Sequence, residues 1–212
     1  MSEKLKGHDL MRFLIFPAFY LIAALAGTPV WAAISSEPLK IDISKASGEI
    51  GFHAIGSPSA LKINGKSKSD GEITKGTIEI KNTEATGAVT FSLDKLETGI
   101  KLRDKHMKNK YLQVSQFPSA TLNITQLKLP ESFYKNDEVT LDDLPMTGLF
   151  KVHGVEKQIK GAVSLVRKGK SIKLKAQFPI SLSEHNIDIP SFMGITVAKE
   201  VTVYTDLEAH LE

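Results

Sequence analysis

The chain of 212 residues contains no cysteine and a single tryptophan, and aromatic residues make up only 7% of it. The absence of cysteine excludes disulfide bonds, a thiol nucleophile and the lipid-modified cysteine of a lipoprotein anchor. Stability must therefore come from an apolar core, which a chain of this length can bury in one domain. The formal net charge of +3 is too small for the electrostatic footprint of a nucleic-acid-binding protein, so we expect no nucleic-acid partner.

Sequence motifs of common enzyme classes are also missing. The chain has no H-E-x-x-H, no G-x-S-x-G, no P-loop and no G-x-G-x-x-G. Beyond residue 32 the histidines are dispersed and form no local pair with the spacing of metal ligands: His53, His106, His153, His185 and His210. We therefore predict a protein with no metal site, no cofactor and no catalytic residues.

The first 32 residues have the three parts of a secretory signal peptide. Three basic residues precede an apolar run at residues 13–26, and Val30 and Ala32 supply small side chains for a signal peptidase. We expect cleavage after Ala32 and export to the periplasm, which leaves residues 33–212 as a single domain. An uncleaved anchor at residues 13–34 is the alternative, since a span needs about 20 residues.

Alternation of apolar and polar residues with a period of two dominates the rest of the chain. It is clearest over residues 171–182 and 201–211, and it predicts strands with one buried face. Turn signals such as Asn64-Gly65 and His153-Gly154 separate the runs and predict hairpins in series. Strands of about 11 residues, near 37 Å long, favour closure of an antiparallel sheet into a barrel. We expect residues 130–144 to form a long surface loop.

One segment has a different character, because residues 101–113 contain no Gly, Pro, Val or Thr to oppose a helix. We predict a single helix at about residues 99–113. At about 100° per residue, Ile100, Met107 and Tyr111 share one face of this helix, and Arg103 and Asp104 flank that face. An apolar stripe with a charged border is typical of a helix that covers an apolar space.

Two blocks of sequence resemble the YceI-like family of polyisoprenoid-binding, lipocalin-like proteins. R-D-K-H-M at residues 103–107, followed by Y-L-Q-V-S-Q-F-P at residues 111–118, is similar to the family's R-D-x-H-L and [FY]-P block. T-G-L-F-K-V-H-G-V-E-K at residues 147–157 is similar to its G-x-L-T-I-x-G-V-T-K. The similarity runs from about residue 40 to 211, with Met107, Tyr111-Leu112 and Glu156 as departures from the family's Leu, Phe and Thr.

The resemblance implies an all-β, eight-stranded antiparallel lipocalin-like barrel with the helix near one end. It also implies an apolar tunnel for a long-chain isoprenoid lipid, either a polyprenyl chain or an isoprenoid quinone. From the residues alone, eight strands enclose either a filled core or space for one small molecule. Taken together, the resemblance and the alternation predict this apolar lining for the ligand: Phe52, Phe91, Leu93, Met107, Tyr111, Leu122, Ile124, Phe150, Leu174, Phe178, Ile180, Phe192 and Met193.

Three functions follow from different interpretations of these residues. The favoured one is non-catalytic binding and carriage of the lipid, with Arg103, Asp104 and His106 either meeting the ligand's polar end or pinning the helix to the strands. The second is a lipid-modifying enzyme in which Arg103 holds an anionic head group and His106 or Asp104 moves a proton. His106 and Asp104 lie about 160° apart around the helix, so they do not converge on one substrate atom. The third is a scaffold protein with a filled core. Transient membrane contact and a homodimer stay open as further partners.

Overall fold

The computed structural model describes residues 37–58, 60–69, 74–192 and 194–212. The predicted signal peptide, its cleavage site after Ala32 and the alternative anchor at residues 13–34 lie outside these ranges.

The alternating segments form one antiparallel sheet, as predicted. In the described ranges this sheet contains twelve strands: β1 Leu39–Asp42, β2 Ser47–Ser57, β3 Leu61–Ser69, β4 Thr74–Lys81, β5 Glu84–Ser92, β6 Ser119–Leu127, β7 Glu138–Val152, β8 Val155–Lys168, β9 Ser171–Ser181, β10 Ser191–Phe192, β11 Ile195–Val197 and β12 Glu200–His210. The spatial order is β1-β4-β5-β6-β7-β8-β9-β12-β2-β11-β10, and β3 pairs with β2.

The sheet curls round and meets itself at two seams. At the first, Ile41 bridges to Leu211, and the Glu212 N–H donates to the Lys40 carbonyl at 2.8 Å. At the second, Lys66 on β3 and Glu97 after β5 exchange two backbone hydrogen bonds of 2.9 Å. These seams satisfy edge groups that would otherwise be exposed to pairing with other chains. The predicted lipocalin-like antiparallel barrel is therefore confirmed.

The predicted count of eight strands is too low. Short β10 and β11 form a hairpin that a period of two does not reveal, because each has only two or three residues. The four residues of β1 pair with β4 and add another short strand. Asn64-Gly65 is not a turn but lies inside β3, whose Lys, Ser and Gly residues hide its strand character.

The predicted helix is present and slightly shorter than expected. An α-helix, α1 Lys101–His106, continues into a π-helical turn at Met107–Tyr111. Gly99 precedes it with φ 84°, a conformation that favours glycine, and the Leu112 N–H donates to the Met107 carbonyl at 2.8 Å. We call residues 101–111 the helical cover.

The expected surface loop at residues 130–144 is wrong. A short helix, α2 Ser132–Lys135, and the first half of β7 occupy this segment. Phe133 of α2 is fully buried, and Arg167 on β8 donates to its carbonyl and lies over its ring at 5.2 Å. A β-bulge between Leu141 and Leu144 interrupts the alternation there, which explains why the pattern did not predict a strand.

The two ends of the barrel differ in what fills them. The helix end carries the helical cover, the β2–β3 and β7–β8 turns and residues 182–199; the other end carries α2 and the β4–β5 and β8–β9 turns. Several of the most deeply buried side chains pack the second end, among them Phe133, Ile43, Leu129 and Ile172. The apolar interior is thus packed at one end and leaves space at the other.

Candidate functional site

An apolar cavity of about 380 Å³ occupies the helix end of the barrel. Its walls come from β2, β3, β5, β6, β7, β9 and β12, from the segment before α1, from the helical cover and from residues 182–197. Hydrocarbon side chains form nearly all of the wall, with Ser67, Ser92, Thr98, Arg103, His106 and Ser191 as its polar members. The space suits an apolar guest with at most a small polar part.

More than half of the predicted lining residues do face this cavity. The strands contribute Phe52, Phe91, Phe150 and Ile180, the residue directly after β5 contributes Leu93, and the helical cover contributes Met107 and Tyr111. Arg103 and His106 also border it. The period of two on the strands and of 3.6 on the helix therefore identified residues that point inward from separate parts of the chain.

Four predicted residues point inward but lie outside the cavity wall. Leu122, Ile124 and Phe178 are buried, and Leu174 packs against the same apolar cluster. They lie deeper along their strands, where side chains fill the interior. Alternation distinguishes the two faces of a strand but carries no information about depth along the barrel axis. Met193 and the side chain of Phe192 lie outside the part of the chain that the structure describes.

The loops contribute lining residues that the sequence patterns did not reveal. Ile187, Pro190 and Val197 come from the connection between β9 and β12, and Leu96 comes from the segment before α1. The sequence feature that could have indicated them is the presence of apolar residues, such as Ile187 and Ile189, in this connection. They follow no regular period, so pattern analysis passes over them.

Thr98 anchors the start of the helical cover. Arg103 donates from Nε to the Thr98 hydroxyl at 2.8 Å and from Nη2 to its carbonyl at 2.7 Å. Asp104 Oδ1 accepts from the Thr98 N–H at 2.7 Å and from its hydroxyl. Both charged side chains therefore hold the loop against the helix. Asp104 does not border the cavity, whereas Arg103 does.

The far end of the cover is tied to the barrel through Tyr111. Its hydroxyl accepts a hydrogen bond of 3.4 Å from the N–H of Ser191 on β10, and Lys110 Nζ lies 5.2 Å from its ring. Met107 and Tyr111 both line the cavity. The cover is therefore held at both ends while its apolar face forms part of the wall.

Aromatic rings support the cavity wall beside the β7–β8 turn. The rings of Phe117 and His153 are 4.6 Å apart, and His153 Nδ1 lies 3.3 Å from the His185 carbonyl. Phe150 packs on Phe178 at 5.1 Å and on His185 at 6.0 Å. These two histidines belong to the packing of the wall. Among the described residues no three His, Asp or Glu side chains form a group that could hold a metal ion.

Gly65 gives the Phe52 ring its place in the wall. A Cβ at residue 65 would lie 2.1 Å from a carbon of that ring, far inside van der Waals contact. The two residues are direct cross-strand partners on β3 and β2. The glycine therefore leaves free the space over β3 that the Phe52 ring occupies in the wall.

A polar network braces the outer face of the same strands. Glu49 on β2 accepts from Lys66 Nζ at 2.8 Å and from the Tyr204 hydroxyl at 2.5 Å. These hydrogen bonds, the one from Lys66 first, hold the pKa of the Glu49 carboxyl below its usual value. Burial and then the Glu49 carboxylate raise the pKa of Tyr204. The network joins β2, β3 and β12, all of which line the cavity.

The protein is a curled antiparallel barrel that is packed at one end and is hollow and apolar at the other, under a short helix. This arrangement places it in the class of lipocalin-like barrels. The chain belongs to the YceI-like family, because the model of the YceI-like domain matches residues 42–209. The predicted resemblance is thereby confirmed. None of the curated proteins matches the sequence.

Solved structures share the fold at low sequence identity. A polyisoprenoid binding domain from Saccharophagus degradans, implicated in plant cell wall breakdown, is 13% identical, with a TM-score of 0.57 over 82% of this chain and 98% of that chain. BcnA from Burkholderia cenocepacia is 16% identical, with a TM-score of 0.59 over 80% and 99%. The Campylobacter jejuni YceI protein is 15% identical, with a TM-score of 0.50 over 65% and 80%.

Within the described ranges, no helix combines the length and the apolar character needed to cross a bilayer.

Proposed function

We propose that this protein binds and carries a long-chain isoprenoid lipid, either a polyprenyl chain or the tail of an isoprenoid quinone, in the cavity under the helical cover. The observation that carries the proposal is an apolar space of about 380 Å³ at one end of an otherwise packed barrel. This volume falls within the range of roughly 300–1,000 Å³ typical of small-molecule sites.

The energetics of the cavity favour an apolar occupant. A space of about 380 Å³ that nothing filled would cost about 9 kcal/mol at ~24 cal/mol per Å³. That cost is comparable to the whole stability of a typical domain. Water is a poor substitute, because the hydrocarbon wall offers it few hydrogen-bonding partners. A hydrocarbon chain regains about 0.8 kcal/mol for each methylene it buries, so affinity depends more on chain length than on head-group chemistry.

The choice of an isoprenoid as the ligand rests on similarity to known proteins. The structural relative from Saccharophagus degradans is a polyisoprenoid binding domain, and this chain belongs to the YceI-like family. The branched isoprenoid chain also suits a wall built from both aromatic and branched aliphatic side chains. A scaffold protein with a filled core fits the hollow helix end less well.

Carriage accounts for the polar residues better than catalysis does. Asp104 accepts two hydrogen bonds from Thr98, and Arg103 gives two hydrogen bonds to the same residue. Both therefore hold the start of the helical cover to the loop that precedes it. Arg103 also borders the cavity and can meet a polar group of the lipid there. His106 borders the cavity. It lies two residues after Asp104, about 160° away around the helix, so the two side chains do not converge on one atom of a lipid.

We place this activity in the periplasm. The basic residues, apolar run and small residues of positions 1–32 support export and cleavage after Ala32. An exported carrier of this kind would hold a membrane lipid in an aqueous compartment. N-terminal sequencing of the protein recovered from the periplasmic fraction tests this placement, with Ala33 as the expected first residue.

Mass spectrometry of an organic extract tests the ligand. The protein purified from its native host is expected to release an isoprenoid lipid in near-stoichiometric amount. Addition of a polyprenyl lipid to protein stripped by detergent is expected to raise its melting temperature. An extract without long-chain lipid, together with no stabilisation on adding one, would overturn the proposal.

A further inference from the structure

Large exposed apolar side chains are concentrated around the mouth of the cavity. Ile55, Leu61, Ile100 and Leu102 are 43–58% exposed. Leu61, Ile100 and Leu102 border the cavity itself, and Ile55 lies on β2 next to Gly56, the cross-strand partner of Leu61. We call these four residues the mouth rim. The remaining large apolar side chain exposed in the described ranges, Tyr134, lies at the opposite end of the barrel.

Exposed lysines lie beside the mouth rim. The helical cover contains four lysines, and its single acid, Asp104, is engaged by Thr98. Lys101 and Lys105 are exposed and lie within one turn of Leu102, and exposed Lys62 follows Leu61 directly. Exposed apolar side chains flanked by lysines are typical of a surface that enters the interface of an anionic membrane.

We propose that the mouth rim docks on the surface of a bilayer that contains anionic phospholipids, so that the cavity opens onto the membrane. The inference rests on the proposed function, since docking there would let an isoprenoid chain pass between bilayer and cavity without crossing water. The rim side chains would enter the headgroup region while the lysines pair with lipid phosphates. Each lysine near such a surface contributes about fivefold to the affinity.

A second copy of this chain is a less suitable occupant of the same surface. Two-fold pairing through the mouth rim would place the same patch of both copies face to face. The lysines of the two helical covers would then approach one another, which disfavours the contact. An anionic bilayer offers opposite charge together with an apolar interior, so it matches both parts of the patch.

Vesicle sedimentation tests the proposal, with the exported form of the protein purified from its host. The probes are vesicles of phosphatidylcholine alone and of phosphatidylcholine with an equal amount of phosphatidylglycerol. We expect at least tenfold tighter binding to the anionic vesicles, and weaker binding as salt rises. The double variant Ile100→Ser/Leu102→Ser should lose about tenfold in affinity for the anionic vesicles, and Lys101→Gln/Lys105→Gln about twenty-five-fold.

The matched control carries the same kinds of substitution at the opposite end. Tyr134→Ser/Lys135→Gln should bind the vesicles as the unmodified protein does. Equal binding to both vesicle types, or equal losses in the rim and control variants, would overturn the proposal. So would sedimentation velocity showing a dimer that the rim substitutions dissociate, with no vesicle binding. The organic extract separates the two proposals: lipid present without vesicle binding refutes docking alone, whereas vesicle binding without lipid refutes carriage.

Discussion

Ala120 offers a way to fill the cavity from within the protein. It is a buried residue on β6, its side chain borders the cavity, and its cross-strand partner is Phe91, another lining residue. Ala120→Phe should place a phenyl ring in the space that we assign to the lipid. Its neighbour Ser119 is exposed, so Ser119→Phe adds the same ring outside the cavity.

The expected loss of lipid affinity in Ala120→Phe follows from the amount of hydrocarbon that the new ring displaces. A ring of about six carbons displaces a similar number of ligand carbons, which at ~0.8 kcal/mol each amounts to about 5 kcal/mol. This loss corresponds to between three and four powers of ten in Kd. The lipid-free protein should be as stable as before or more stable, by up to about 2 kcal/mol, because the ring buries apolar surface in existing space.

Two measurements on the same preparations provide the assay. Lipid per mole of protein is quantified by mass spectrometry of organic extracts, and the free energy of unfolding of stripped protein is obtained from urea titrations. Ala120→Phe should retain its fold and carry at most about one hundredth of the lipid, while Ser119→Phe should match the unmodified protein. A folded Ala120→Phe protein with the normal lipid content would refute the assignment of the cavity as the binding site.

Three further predictions concern other parts of the molecule. Asp104→Ala should lower the free energy of unfolding by about 1 kcal/mol, because the Thr98 N–H and hydroxyl lose their acceptor; urea unfolding measures it, and an equal loss in Lys105→Ala would contradict it. Ser67 Oγ is buried with no hydrogen-bond partner in the structure, so Ser67→Ala should stabilise stripped protein by about 1 kcal/mol in the same assay, and a clear loss would oppose this. The lowered pKa of Glu49 means that its carboxylate stabilises the fold above the unfolded pKa near 4.3 and loses this effect as pH falls. The melting-temperature gap between the unmodified protein and Glu49→Gln should therefore be largest at pH 7 and close towards pH 3; a constant gap would rule this out.

Strand faces were largely predictable because they depend on local alternation. Over β9 and β12, Ile172, Phe178, Val201 and Leu207 are buried as expected, while Lys173 is exposed. The same rule fails for β3, where Gly65 sits in a strand because the Phe52 ring lies across it. A cross-strand partner far along the chain decides that position, and single-sequence patterns do not contain it.

The candidate site was predictable in part for a similar reason. The direction of Met107 and Tyr111 follows from helical geometry, so their place under the cover could be expected. The difference between Phe91, which lines the cavity, and Ile124, which lies deeper, depends on strand register and on which end of the barrel is packed. The packed end in turn depends on Phe133 of α2, which occupies a segment expected to be a loop.

The most direct test of the account is to locate a bound isoprenoid chain on the protein. A polyprenyl probe with a photoreactive diazirine in its chain is added to stripped protein, irradiated and mapped by peptide mass spectrometry. The account predicts labelling of inward residues at the helix end, such as Phe91 of β5, Leu93 directly after that strand and Met107 of the helical cover. Labelling that falls mainly on outward residues such as Lys173 and Lys175 of β9, or that Ala120→Phe leaves unchanged, would contradict it.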